Sequence, residues 1–161
     1  MFDDDERNLV CLPGFHSYGG SCYFLSPIKS TWITASKTCA LKRNSSLVSF
    51  ETNEELDFVV EKLLKPAQIN QAFIGLYASD VGQWHWLDGR TFWDSIFGPL
   101  FYVYRPDTSR CGLLNLVNRS KIAIEGRDCT NDEARFLCKY GKKRNGLKET
   151  TEMIDDPMEN I

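Results

Sequence analysis

The chain has 161 residues, 42% of them hydrophobic and 12% aromatic, with a formal net charge of −3. That supports one domain with a real core and a short tail at each end, and it offers no basic stripe of the kind nucleic-acid phosphates demand. No Gly-x-Ser-x-Gly, His-Glu-x-x-His or phosphate-cradling loop occurs, so no residue pattern asks for an enzyme.

Six cysteines stand at positions 11, 22, 39, 111, 129 and 138, none in a Cys-x-x-Cys pair, and the two histidines, His16 and His85, are not spaced as ligands. Disulfides are therefore favoured over zinc, while the count alone leaves every pairing open. Disulfides need an oxidising compartment, which puts the protein outside the cell or facing its exterior. Two glycosylation triplets, Asn44-Ser45-Ser46 and Asn118-Arg119-Ser120, agree with that. The opening Met1-Phe2-Asp3-Asp4-Asp5-Glu6-Arg7 lacks the pattern of a secretory signal, and no apolar run is long enough to span a membrane. The chain thus reads as a secreted product or as an ectodomain cut from its anchor.

In chain order, residues 1–10 form an acidic lead. Leu12-Pro13-Gly14-Phe15 and Tyr18-Gly19-Gly20 are turn signals that suit a short hairpin closed by Cys11 and Cys22, running into a strand over Cys22-Tyr23-Phe24-Leu25. A first helix is predicted from Thr31 to Lys42, capped by Ser30 or Thr31, with Trp32, Ala35 and Cys39 on its inner face. Leu47-Val48-Ser49-Phe50 reads as a strand. Thr52-Asn53-Glu54-Glu55 is a capping box, and Leu56, Val59, Val60, Leu63 and Leu64 keep the helical period of a second helix until Pro66 stops it.

The densest apolar run follows, Ala72-Phe73-Ile74-Gly75-Leu76, and then Trp84 and Trp86 on one face of a strand, with Asp88-Gly89 as a tight turn. Residues 90–110 hold Phe92, Trp93, Phe97, Phe101, Tyr102 and Tyr104 without steady period and read as a long structured loop. Three more strands are predicted over Cys111–Leu116, Lys121–Glu125 and Arg135–Lys139. From residue 141 the chain turns polar, with Lys142-Lys143-Arg144 ahead of an acidic end, and is expected to stay disordered. No internal repeat is present.

Taken together, Trp32-x-x-Ala35-x-x-x-Cys39, Leu47-Val48-Ser49, Ile74-Gly75-Leu76, Trp84-x-Trp86-x-Asp88-Gly89 and Phe136-x-Cys138 resemble the C-type lectin-like domain, from Cys11 to Tyr140. The resemblance implies an α+β double-loop fold of two helices, small antiparallel sheets and a long structured loop. It also implies the disulfides Cys39 with Cys138 and Cys111 with Cys129, with Cys11 and Cys22 marking the long form.

The same resemblance allows a test for calcium, which takes six to eight oxygen ligands. Where sugar-binding members carry Glu-Pro-Asn or Gln-Pro-Asp, this chain has Arg105-Pro106-Asp107. Ser109 stands at the next acidic place, and Ile124-Glu125-Gly126 replaces Trp-Asn-Asp. A second, structural calcium site is matched by Ser49, Glu51 and Glu55, but Lys139 stands where its last acid belongs. Loss of the sugar-site ligands makes the chain similar to the natural-killer-receptor branch, whose members are ectodomains that bind protein partners, often as dimers.

The expected function is extracellular recognition of a protein, less readily a glycan, with no cofactor, a structural calcium at Ser49, Glu51 and Glu55 being the one candidate. The rival is a calcium-dependent lectin. A structural or inhibitory partner within a larger assembly is a further reading. Trp93, Tyr102, Tyr104, Arg105, Asp107 and Arg110 are the candidate contact residues, with Glu125 and Arg127 alongside, since aromatic and arginine side chains dominate binding energy at protein interfaces.

Overall fold

The computed structural model describes residues 10–79, 83–92, 103–104, 110–118 and 121–141. The lead up to residue 9 and the polar tail from residue 142, with its basic triplet, lie outside them, as do Phe97 and Phe101.

The hairpin expected near the first two cysteines is present as β1 (His16–Tyr18) and β2 (Ser21–Leu25), paired antiparallel across Gly19 and Gly20. Both glycines have positive φ, which a two-residue hairpin turn of matching twist requires. β2 then pairs with the last strand, β9 (Arg135–Gly141), so the two ends of the domain meet in one sheet.

Helix α1 (Trp32–Leu41) starts at Thr31, whose hydroxyl accepts from Thr34 N at 3.2 Å. Trp32, Ala35 and Cys39 are its buried residues, and the Trp32 indole N–H donates to the Ile74 carbonyl at 2.9 Å. Of the strand expected over residues 47–50, only β3 (Ser46–Leu47) pairs, with β9. Val48 donates to Leu137 and accepts from Gly75 at 2.7 Å, so its backbone turns between two strands instead of continuing along one.

Helix α2 (Asn53–Phe58) begins with half of the expected capping box: the Thr52 hydroxyl accepts from Glu55 N at 3.0 Å. The other half is redirected, because the Glu55 carboxylate accepts from Glu51 N at 2.6 Å. Beyond Phe58 the helix widens into a π-helical stretch, Val59–Leu64. Leu56, Val59, Val60, Leu63 and Leu64 are all buried, as the apolar period predicts.

The central strand is β4 (Gln71–Ala78), flanked by β5 (Trp84–Trp86) and by β7 (Cys111–Asn118). Trp84 and Trp86 are buried, while His85 between them is half-buried near the Tyr77 ring. The following turn has Gly89 at φ +99, and Asp88 Oδ1 accepts from Arg90 N at 3.1 Å. β7 pairs with β8 (Lys121–Arg127), and β6 (Val103–Tyr104) runs parallel to β8. The segment expected as loop therefore contains a two-residue strand, too short to leave a period in the sequence. It also contributes Phe92, fully buried beside Trp86.

The small antiparallel sheets expected are joined into one path of nine strands among the described residues, β1-β2-β9-β4-β7-β8-β6, with β3 on β9 and β5 on β4. Two of the pairings, β4 with β9 and β6 with β8, are parallel. One core cluster lies between the second helix and β4, β5 and β7. Another surrounds α1 with Phe73, Leu113, Phe136 and the buried cysteines. Cys11–Cys22, Cys39–Cys138 and Cys111–Cys129 are the disulfides, the pairs that the resemblance implies.

Candidate functional site

Strands β7 and β8 set the geometry of the candidate surface. Leu114, Leu116 and Ile124 point into the core, so strand alternation puts Asn115, Glu125 and Arg127 on the opposite face. There the three side chains form one polar unit. Glu125 Oε2 accepts from the Asn115 side-chain amide at 2.5 Å, and Oε1 accepts from two nitrogens of the Arg127 guanidinium at 2.8 and 3.2 Å. Partial burial pushes the Glu125 carboxyl up, but the bonds from Arg127 and Asn115 and the charge of Arg127 outweigh it and hold the group below the ordinary range. Asn115 was not among the expected site residues. Its signal was available, since it is the one strongly polar residue in the run Cys111 to Val117.

Of the other expected contact residues, Trp93, Tyr102, Arg105 and Asp107 lie outside the described residues, as does Ser109. Tyr104 belongs to β6, where its backbone lies opposite Glu125. Arg110 is half-buried, and its carbonyl accepts from Ala78 N at 2.7 Å. The structure thus brings Glu125, Arg127 and the Tyr104 backbone together. Of the two glycosylation candidates, Asn44 is exposed in a left-handed turn at φ +54, and Asn118 is exposed at the end of β7.

The second expected site lies at the start of α2, where the three residues matching a structural calcium site have different surroundings. Ser49 is buried, Glu51 is exposed and Glu55 is 4% exposed. Both Glu55 oxygens are engaged: Oε1 accepts from Glu51 N, and Oε2 accepts from the Tyr23 hydroxyl at 2.5 Å and from the Lys139 ammonium. Burial, and then the carboxylate beside it, push the Tyr23 phenol far above its usual range. This donor set does not fit calcium, because a dication would have to stand against an ammonium with one buried carboxylate to hold it. Among the described residues, no three His, Cys, Asp or Glu side chains are grouped so as to hold a metal.

The Lectin C-type domain family model matches residues 28–140. The chain belongs to the C-type lectin domain family. It is 35% identical over 83 residues to the snaclec agglucetin subunit alpha-1 of Deinagkistrodon acutus, a match over 49% of this chain and 54% of that one. The chain spans only about half to two thirds of the length of such snaclec relatives. Among solved structures, the C-type lectin domain of murine dendritic cell inhibitory receptor 2, in complex with N-glycan, superposes with a TM-score of 0.64 at 24% identity, covering 83% of this chain and 100% of that one. A calcium-independent type II antifreeze protein gives the same TM-score at 20% identity, over 84% and 97%. At such identities the likeness is one of fold.

Membership makes this a C-type lectin-like recognition domain, of a fold that is extracellular and generally non-enzymatic. No described helix is long and apolar enough to cross a membrane.

Proposed function

We propose that this C-type lectin-like domain recognises a protein outside the cell, without the calcium-bridged sugar chemistry of the lectins in its family. The observation that carries this reading is the state of Glu125. It is the one carboxylate in the place of the Trp-Asn-Asp triplet, and both of its oxygens are occupied by Asn115 and Arg127. A calcium ion bridging to sugar hydroxyls needs carboxylate oxygens that are free to ligate. On the other arm of that site, Arg105 brings a cation to a ligand position and leaves Asp107 as its one acid. The fold is compatible with calcium independence, as the antifreeze neighbour is itself described as calcium-independent.

The same residues suit protein contact. Arg105, Arg110 and Arg127 with Trp93, Tyr102 and Tyr104 supply the planar donors and rigid aromatic area that anchor protein interfaces. A secreted product or a cell-surface ectodomain is the setting that fits this use.

The reading is tested by probing disulfide-intact protein on an array of extracellular proteins and on a glycan array, each in calcium and in EDTA. A protein hit that survives EDTA and weakens about tenfold or more with Arg105→Ala or Arg127→Ala is the expected result. Binding confined to glycans and abolished by EDTA would refute it.

A further inference from the structure

The sheet register explains how a lysine comes to lie against a buried carboxylate. On β9, Lys139 pairs directly with Tyr23 of β2 on one side and with Ser46 of β3 on the other. Cross-strand partners share a face, so the Lys139 ammonium and the Tyr23 phenol project together, with Nζ 5.7 Å from the phenol ring centroid. Onto that face α2 lowers Glu55. The side chains of Glu55 and Lys139 are only 6% and 16% exposed.

Three elements therefore converge on one carboxylate: β2 through a phenol, β9 through an ammonium, and the entry to α2 through Glu51 N. Charge decides what this cluster can hold. One buried carboxylate is balanced by one ammonium, whereas Glu51, the second acid that a dication would need, stays exposed. A buried ion pair whose partners also have their remaining hydrogen bonds met is costly to break from one side, since the survivor is left as an uncompensated charge.

We infer that Lys139 is a built-in counter-ion: it performs at this corner the structural role that calcium would otherwise perform, tying the second helix to the sheet in which β2 and β9 pair. The lysine is thus a replacement for the metal and not merely a lost ligand. An acid in its place is what calcium dependence at this corner requires. The inference is independent of which ligand the domain recognises.

Thermal melting of the disulfide-intact protein, in EDTA and in millimolar calcium, tests it with wild type, Lys139→Gln and Lys139→Glu. Wild type should melt at the same temperature in both. Lys139→Gln should melt roughly 5–15 °C lower in both, because it strands Glu55 without giving calcium a ligand. Lys139→Glu should be destabilised in EDTA and recover part of the loss in calcium. A wild-type melting temperature that rises with calcium, a Lys139→Gln protein as stable as wild type, or a folded Lys139→Glu protein indifferent to calcium would each overturn the inference. Should Lys139→Glu not fold, the wild-type and Lys139→Gln results decide it.

Discussion

Glu125 and Arg127 stand two residues apart on β8, and together with Asn115 they form an internal ion pair. With side chains 26% and 31% exposed, the pair is shielded enough for its protonation to be felt in stability. The Glu125 carboxyl is lowered in the folded state, so its contribution is complete above the ordinary carboxylate range and is lost as pH falls through the folded value. Asp88, which burial pushes up but the hydrogen bonds and charge of Arg90 together hold down, adds a contribution of the same sign. Melting temperature should therefore drop between about pH 5 and pH 3, and Glu125→Gln should shrink that drop by a few degrees while lowering stability at neutral pH. Equal slopes for the two proteins in thermal melts would show that the pair carries no such linkage. At this scale the sequence was half legible. Glu125 and Arg127 stand out as charges in a strand, but nothing in their spacing shows that they bind each other, since neighbours two apart on a strand can equally turn to solvent or to a ligand.

Elements were read best where burial imposes a period. The second helix shows this, with Leu56, Val59, Val60, Leu63 and Leu64 of its apolar period all buried, and so do Trp84 and Trp86, which share the inner face of β5. What escaped is set by approaches between distant segments. The short β3 is one case: Leu47 to Phe50 carries strand residues, yet the ladder stops at Leu47 because the Val48 backbone is taken up by Leu137 and Gly75. Gly75 is the pivot, because a Cβ there would lie 2.4 Å from the Leu47 carbonyl oxygen and 3.0 Å from that of Val48. Both atoms are backbone and cannot rotate away. Gly75→Ala should cost about 3 kcal/mol, read as a lower midpoint in urea with an unchanged slope, and a loss well under 1 kcal/mol would mean that β4 and the Leu47–Val48 segment are not held together as described. The π-helical stretch after Phe58 was likewise invisible, since it leaves the same side chains inside.

Across the whole molecule, the fold is a closed figure. β2 and β9 join the two ends of the domain, Cys39–Cys138 locks α1 to the last strand across 99 residues, and the Glu55 cluster fastens the second helix to the same corner. That disulfide closes much the longest loop, worth roughly 4–5 kcal/mol on a chain-entropy basis against about 3 for a closure as short as Cys11–Cys22. The order of cysteines and helices carried this architecture in the sequence. The joining of the sheets through parallel β4 and β9 did not show, because the register between segments more than sixty residues apart leaves no local mark. The central claim is that such a domain, with its sugar-site carboxylate and its structural-site carboxylate both occupied by the chain's own donors, recognises its partner without calcium. Calorimetric titration of calcium into metal-stripped, disulfide-intact protein tests it most directly, with Asp107→Ala and Glu51→Ala as companions. The account predicts no saturable heat at millimolar calcium. Saturable binding abolished by Asp107→Ala would contradict the calcium-free reading of the recognition surface, and binding abolished by Glu51→Ala would contradict the role given to Lys139.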